Sequence, residues 1–457
     1  MTAAKGPSGM NEVYLNRLDD FLENGAKSSL EELAKFDDTI QLAAMEKTLR
    51  NYKLHFLFGC GSNQHNQLLL ASESNAASLV AGEDAHEMKD IVLCTPSYDL
   101  NGATDPVQQL FAGGGHSAIL TESGRFYLFG WNESGQLGSS GVMNDSKVPI
   151  PLMSELKGVR VETAALGFNH SLVVEKDTGR LYTFGDNGRG QLNGKGVSGS
   201  FSSALVSSGL PEGNFVVDIA AGLFHSAAIT NEGQLITFGC DRFGQSLPSL
   251  SSDPAKIGRW RPDDGSKLVR VACGRRHTTV LDDKGRILTL GENKYGQLGR
   301  SVQVLEGSVD GGPHLTTGLE DDWKCYDIQC GWSHNIVLAK DSEGSTAVFG
   351  WGRNDKGQLG TGTTETVLEP TRLFEGQKIE SVSCGSESTV VVDESGNIWC
   401  CGWNEHGNLS TGSNQDSLAL TRVVGAPMST TPGYPSESRV CVAAGGAHVL
   451  AMKVPRP

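Results

Sequence analysis

Residues 110–117, LFAGGGHS, form a unit that recurs along the chain. In each copy an apolar run leads into a Gly-x-x-His step that is followed by a small polar residue or another apolar run. The histidines of the copies are His116, His170, His225, His277, His334 and His448, and Ser388 occupies the remaining place. Successive copies are 54, 55, 52, 57, 54 and 60 residues apart, which are the differences between these residue numbers. A period of this size indicates a repeat architecture.

A second half follows each of the first six units. A β-rich run, a turn such as Glu122-Ser-Gly124 and a second apolar run together predict a β-hairpin. The second run ends in Gly-x-Asn-x-x-Gly-Gln-Leu-Gly or a close variant. The seven copies of this motif are centred on Asn63, Asn132, Asn187, Asp241, Asn293, Asn354 and Asn404.

The two ends of the chain complement each other. Residues 54–63, LHFLFGCGSN, are a second half without a first, and residues 440–452, VCVAAGGAHVLAM, are a first half without a second. Pairing the terminal strands would close a ring and remove exposed strand edges, which a linear solenoid would not gain. We therefore predict an all-β fold, a seven-bladed β-propeller over residues 51–457 that is closed by its N- and C-terminal half-repeats.

Residues 1–50 lack the repeat and predict a short helical N-terminal extension. Leu15, Leu18 and Leu22 would lie on one helical face, and Ser29-Leu-Glu-Glu32 resembles a capping box. Such a stripe is typical of an amphipathic extension that covers a propeller face, and a partner-binding arm is the alternative.

The repeated histidines are interpreted as structural. Six histidines at equivalent places suggest buried side chains that hydrogen-bond to neighbouring backbone, not a catalytic array. Ser388 agrees with this interpretation, because a hydroxyl can replace a hydrogen-bonding group but not a base or a metal ligand.

Composition restricts the function further. The chain has 38 Lys and Arg against 53 Asp and Glu, a formal net charge of −15, so direct binding of nucleic acid is not expected. Without a run of 18 apolar residues or a secretory leader, we expect an intracellular protein without membrane contact, cytoplasmic and in some cases nuclear. Ten cysteines without a Cys-x-x-Cys pair predict reduced thiols, and no metal or cofactor is expected.

Enzyme motifs are missing from the sequence. There is no Gly-x-x-x-x-Gly-Lys-(Ser/Thr) loop, His-Glu-x-x-His helix or Gly-x-Ser-x-Gly elbow, so we predict a protein that is not an enzyme. Asp186 and Asp241 are weak candidates for a nucleotide-exchange site, and we expect them to cap turns instead.

The units from about residue 54 to 453 resemble the repeats of the regulator of chromosome condensation family, which implies a seven-bladed propeller. Gly331-Trp-Ser-His334, Gly350-Trp-Gly-Arg-Asn354, and residues 382–388 and 401–408 are similar to two subgroups. One contains secretion-regulating guanine-nucleotide-exchange-factor-like proteins. The other contains α-tubulin suppressor proteins, which pair with a small zinc protein in diphthamide synthesis and Elongator-dependent tRNA modification.

The resemblance implies two functions. The first is a monomeric, non-catalytic adaptor for a protein partner such as the small zinc protein, and the alternative is an exchange factor for a small GTPase. The ultraviolet-B receptors of the family need several Gly-Trp-x-His units, whereas here only Trp332 occupies that place. For the adaptor we predict a binding site of exposed turn residues, namely Trp351, Arg353, Trp403, Glu405 and His406.

Overall fold

The fold is seen in a computed structural model. It describes residues 57–68, 92–94, 105–138, 144–152, 158–192, 204–205, 213–247, 257–300, 312–319, 322–411, 413–423 and 438–455. These residues form 28 β-strands and no helix. The predicted helical extension and most of the long segments between blades lie outside the described residues.

The strands form seven four-stranded antiparallel sheets, the blades of the propeller. Blade 1 contains β3 (Val107–Ala112), β4 (His116–Thr121), β5 (Phe126–Gly130) and β6 (Ser146–Pro151). Blade 2 contains β7 (Val161–Leu166), β8 (His170–Glu175), β9 (Leu181–Gly185) and β10 (Ala204–Leu205). Blade 3 contains β11 (Val216–Ala221), β12 (His225–Thr230), β13 (Leu235–Gly239) and β14 (Gly258–Trp260). Blade 4 contains β15 (Leu268–Cys273), β16 (His277–Asp282), β17 (Ile287–Gly291) and β18 (His314–Leu315).

Blades 5 and 6 follow the same order along the chain. Blade 5 contains β19 (Lys324–Cys330), β20 (His334–Lys340), β21 (Thr346–Gly352) and β22 (Val367–Leu373). Blade 6 contains β23 (Ile379–Cys384), β24 (Ser388–Asp393), β25 (Ile398–Gly402) and β26 (Ser417–Arg422).

Blade 7 is built from both ends of the chain, and it confirms the predicted closure. It contains β27 (Ser438–Ala444) and β28 (His448–Pro455) together with β1 (Leu57–Gly61) and β2 (Val92–Cys94). β1 pairs antiparallel with β28, with Leu57 opposite Met452 and Gly61 opposite His448. The ring therefore has no open strand edge where the terminal half-repeats meet.

The hydrophobic core is divided among the junctions between blades. Each of seven apolar clusters draws its side chains from two neighbouring blades, as where Leu120 and Phe129 of blade 1 lie in the clusters shared with blades 2 and 7, respectively. Because each sheet packs through both faces, the middle strands are apolar on both sides, and β4 and β12 are buried at every position. Nine cysteines in the described part of the chain are free of disulfides, which agrees with the predicted thiols.

Candidate functional site

The repeated histidines link each blade to the next. Each imidazole Nε2 lies 2.9–3.2 Å from a polar side-chain oxygen on the residue that follows the histidine position of the next blade. The six pairs are His116–Ser171, His170–Ser226, His225–Thr278, His277–Asn335, His334–Thr389 and His448–Ser117. Each histidine therefore joins two blades, and its partner is a side chain of the next blade and not the neighbouring backbone that the sequence suggested.

The partner groups determine the tautomer of the imidazoles. Each of these partner hydroxyls donates to the backbone oxygen of a loop glutamine, so it accepts from Nε2–H. The five hydroxyls are those of Ser117, Ser171, Ser226, Thr278 and Thr389. The Nδ1 atoms have no partner among the described residues. Burial lowers the pKa of His116, His225 and His334 to about 3 and that of His170, His277 and His448 to about 4, so all six are neutral at pH 7.

Blade 6 shows what replaces the histidine link. Ser388 stands in the histidine position there, and the residue that would be its partner in blade 7 is Val449. The histidine and its polar partner are thus lost together, which leaves no buried polar group without the interaction that the other blades make.

A double-mutant cycle at one link measures this interaction. We expect His225→Ser and Thr278→Val to show a coupling free energy of about 1 kcal/mol in urea unfolding, because a buried hydrogen bond joins the two side chains. The double variant has the same residue pair as Ser388 and Val449. Its loss of unfolding free energy is expected to be smaller than the sum of the losses of the two single variants. Additive losses would contradict a direct link.

The Gly-x-Asn-x-x-Gly loops are held by their own side chains. In all seven, the Asn or Asp side chain accepts from the backbone N–H five residues later, at 2.8–3.0 Å, as in the pairs Asn132–Leu137 and Asn404–Leu409. Asp241 makes this contact with Ser246, and burial raises its pKa to about 6. In the blade 2 loop that contains Asn187, Asp186 accepts from the N–H of Gly188. Both aspartates therefore hold their turns, as expected.

Two sets of loops meet on one face of the ring, which we call the upper face. In each blade a backbone hydrogen bond joins the two loops. Its acceptor is the oxygen of the residue before the histidine position, and its donor is the N–H of the residue after the Gly that ends the third strand. In blade 1 the N–H of Trp131 donates to the oxygen of Gly115. The opposite, lower face carries the hairpin turns between the second and third strands. The upper face therefore presents the variable residues of both motifs on rigid loops.

Trp351 does not belong to this exposed set. Its side chain is fully buried between blades 4 and 5, and Nε1 donates to the backbone oxygen of Gln297 at 3.1 Å. The prediction that it is an exposed turn residue is wrong, because Trp351 lies within β21, one residue before Gly352.

The other four predicted site residues lie on the upper face of blades 5 and 6, where Glu405 is exposed as predicted but Arg353, Trp403 and His406 are half-buried. Arg353 forms ion pairs with Glu387 of blade 6 and with Asp355, the latter at 2.6 Å. Trp403 is half-buried, its Nε1 lies 3.3 Å from Glu405, and its ring meets His406 edge to face at 5.2 Å between centroids. Trp403, Glu405 and His406 thus form a compact cluster.

Sequence reasoning missed a second group on this face, in blades 3 to 5. Arg276 lies 4.3 Å from the ring centroid of Phe243, and Arg353 lies 5.1 Å from that of Tyr295. Both rings occupy the second variable place of the Asn-x-x-Gly motif. A comparison of that place across the repeats would have singled out these rings as variable loop residues, but not the arginines above them.

The central channel does not supply a reactive site. Its mouth is lined by the Gly-containing ends of all seven inner strands, including Cys273, Cys330 and Cys384. Burial raises the pKa of Cys330 to about 12 and that of the other two thiols also, so they stay protonated and are poor nucleophiles. In the part of the chain that the structure describes, no group of three potential ligands could hold a metal ion, and no helix is suited to crossing a membrane.

Comparison with known proteins agrees with this architecture. The model of the RCC1-like domain matches residues 56–451. The chain is 33% identical over 309 residues to the ultraviolet-B receptor UVR8 of Arabidopsis thaliana, which covers 66% of this chain and 67% of the receptor. It is 27% identical over 426 residues to the secretion-regulating guanine nucleotide exchange factor of Bos taurus, covering 87% and 82%, respectively.

Among solved structures, Prp20p of Saccharomyces cerevisiae has a similar fold. The TM-score is 0.69 at 20% identity, and the match covers 90% of this chain and 95% of Prp20p. That structure is described together with the binding of Prp20p to Gsp1p and histones.

Proposed function

Because the chain belongs to the RCC1-like domain family, we propose that it is a non-catalytic, protein-binding propeller that acts as an adaptor or regulatory subunit. The observation that carries the proposal is the division of polar groups. The repeated histidines are buried in links between blades, whereas the upper face presents aromatic and charged side chains on loops that their own side chains hold rigid. Rigid loops reduce the entropy lost on binding a partner.

We place the partner contact at the cluster of Trp403, Glu405 and His406, with Arg353 beside it. The partner that we propose is a small zinc protein that serves diphthamide synthesis and Elongator-dependent tRNA modification, acting in the cytoplasm or nucleus with a monomeric propeller. The proposal for this partner rests on sequence similarity of the blade 5 and blade 6 motifs to the α-tubulin suppressor subgroup.

Affinity purification from the protein's own cells tests this function. The intact chain is compared with Trp403→Ala/Glu405→Ala and with a matched control, Tyr326→Ala/Glu380→Ala, which removes the same residue classes near the lower face. We expect the intact chain and the control to retain a small zinc protein with diphthamide or Elongator components, and the first variant to lose at least about nine-tenths of it, as for a site worth 1.4 kcal/mol or more. Equal recovery with both variants would place the contact elsewhere.

A second function is favoured by the relatives themselves. One is named as a guanine nucleotide exchange factor, and the structure of Prp20p is described with its binding to Gsp1p. For an exchange factor, the purified chain would accelerate release of labelled GDP from a captured GTPase, and the GTPase would be retained only after chelation of magnesium. Recovery of such a GTPase in place of the zinc protein would replace the adaptor proposal.

A further inference from the structure

Charge is distributed unevenly over the upper face. The charges were counted in the Gly-x-x-His loops and in the Gly-x-Asn-x-x-Gly loops, the latter up to the second residue after the last Gly. In blades 3 to 5 these loops hold six cations and three carboxylates. The cations are Arg242, Arg275, Arg276, Lys294, Arg353 and Lys356, and the carboxylates are Asp241, Glu292 and Asp355. The same loops of blades 6, 7 and 1 hold no Lys or Arg and three carboxylates, Glu133, Glu387 and Glu405. A chain with a net charge of −15 therefore carries a basic surface on one part of one face.

Aromatic rings hold these cations in place across blade boundaries. The ring of Phe243 is shared by Arg242 of its own loop, at 5.6 Å, and by Arg276 of blade 4, at 4.3 Å. One blade further on, the ring of Tyr295 is shared in the same way by Lys294 and by Arg353 of blade 5, both at 5.1 Å. Stacking on a ring reduces the freedom of a long cationic side chain before any partner arrives.

Closer to the channel, Arg275 lies over the ring of Trp332 at 5.1 Å. The backbone supports this pair, because the N–H of Arg275 donates to the backbone oxygen of Trp332 at 2.9 Å. We call this group of side chains the cation–aromatic arc. Its cations are Arg242, Arg275, Arg276, Lys294 and Arg353, and its rings are Phe243, Tyr295 and Trp332.

Half of the six cations have no carboxylate within salt-bridge distance among the described residues. Arg276 pairs with Glu292 at 3.2 Å, Lys356 pairs with Asp416 at 3.1 Å, and Arg353 pairs with Glu387. The remaining three, Arg242, Arg275 and Lys294, each lie over an aromatic ring and form no ion pair within the described part of the chain. Positioned cations without counter-charges are suited to accept carboxylates from outside, since Arg binds carboxylates through two parallel hydrogen bonds.

We propose that the cation–aromatic arc binds an acidic, Asp- and Glu-rich segment of a partner protein. This inference rests on the proposed function and names the chemistry of the partner. Nucleic acid fits less well, because the rings already carry cations where bases would stack.

Fluorescence anisotropy with a labelled peptide of ten glutamates tests this inference on the full-length chain. We expect binding that weakens between 50 and 200 mM NaCl, because salt screens the attraction between the peptide and surface charges such as the exposed Arg242 and Lys294. Arg242→Glu/Lys294→Glu is expected to weaken it by about tenfold or more, through repulsion between like charges. Lys267→Glu/Lys378→Glu is the matched control, since it changes the charge equally at exposed lysines of the lower face and is expected to alter binding by less than about twofold.

Three results would overturn the inference. The first is equal weakening by both variants, which would show that net charge alone governs binding. The second is tighter binding of a ten-nucleotide single-stranded DNA than of the peptide. The third is a dimer in sedimentation analysis that Arg242→Glu/Lys294→Glu dissociates, which would make a second copy of this chain the occupant.

The proposed function is judged separately. If the partner is lost from Trp403→Ala/Glu405→Ala but is retained fully by Arg242→Glu/Lys294→Glu, the adaptor stands and the arc fails. If the peptide binds as expected but Trp403→Ala/Glu405→Ala retains the cellular partner fully, the inference about the arc stands and the proposed contact at blade 6 fails.

Discussion

Gly331→Ala is expected to destabilise the propeller by about 3 kcal/mol or more, as overpacking of a rigid, buried site does. A Cβ at this position would lie 2.0 Å from Cε1 and 2.4 Å from Nδ1 of His334, and 2.8 Å from the backbone oxygen of Gly385 in the next blade. The imidazole cannot move away freely, because it is fully buried and its Nε2 is bonded to Thr389 at 3.2 Å. Urea unfolding of the full-length chain measures the loss.

Gly344→Ala is the control for this substitution. Gly344 lies in the hairpin turn between β20 and β21, has φ +85°, and has open space where a Cβ would be. Its loss is expected to be about 1 kcal/mol, the cost of a left-handed backbone conformation for alanine. Similar losses for both variants would show that contact with His334 does not restrict position 331.

A second variant separates the two contacts of the new methyl group. Gly331→Ala/His334→Ser removes the imidazole and places at 334 the residue that blade 6 has at Ser388. We expect it to be less destabilised than the sum of the two single variants, because the methyl group then meets only a hydroxyl and the oxygen of Gly385. A sum without recovery would assign the clash to the backbone alone.

The same repeat explains how far the sequence could predict the structure. The number of blades and the pairing of β1 with β28 follow from counting half-repeats, because a repeated unit must bury its faces against copies of itself. The partners of the histidines were predicted as backbone, since a single unit does not show that the residue after one histidine lies beside the previous one.

The positions of Trp351 and Trp403 relative to the Gly that ends the third strand distinguish a core residue from a surface residue. Trp351 precedes the last Gly of its strand, a place that Phe129, Phe184 and Phe238 occupy in other blades, and all of these are fully buried. Trp403 follows that Gly. Alignment of the repeats within the chain would therefore have placed Trp351 in the core and Trp403 on the surface.

The cation–aromatic arc could not be predicted in this way. Phe243 and Arg276 are 33 positions apart and belong to different blades. Their contact depends on the distance between neighbouring loops and on the direction of two long side chains, neither of which has a periodic trace in the sequence.

Acidification from pH 7.5 to pH 5.5 is expected to lower the free energy of unfolding. The expected loss is much larger than titration of the surface charges alone would cause. The six linking histidines have pKa values of about 3 to 4 in the folded state, against about 6.5 in the unfolded chain. At pH 7.5 both states are neutral at these groups. As the pH falls below 6.5 the unfolded chain takes up protons that the folded chain does not, so each histidine costs up to about 1.4 kcal/mol of stability per pH unit.

Buried carboxyl groups act in the opposite direction but are fewer. Burial raises the pKa of Asp218 and of Asp241 to about 6, so below that pH the folded state takes up their protons first and gains stability. Burial also raises the pKa of Asp327, and these three carboxyl groups offset only part of the effect of six histidines. The folded chain is therefore expected to lose stability on balance between pH 6.5 and pH 5.

Urea midpoints measured at intervals of half a pH unit test this expectation, with His225→Ser/Thr278→Val as the matched variant. The variant has five linking histidines, so the slope of its unfolding free energy against pH below 6.5 is expected to fall by about one histidine's share, 1.4 kcal/mol per pH unit at most. Its stability at pH 7.5 reports the loss of the hydrogen bond separately. A free energy of unfolding that stayed constant from pH 7.5 to pH 5.5 in the unsubstituted chain would contradict the neutral, buried state of the linking histidines. It would mean that the folded chain takes up protons at Nδ1 as readily as the unfolded chain does, although no acceptor lies beside those atoms among the described residues.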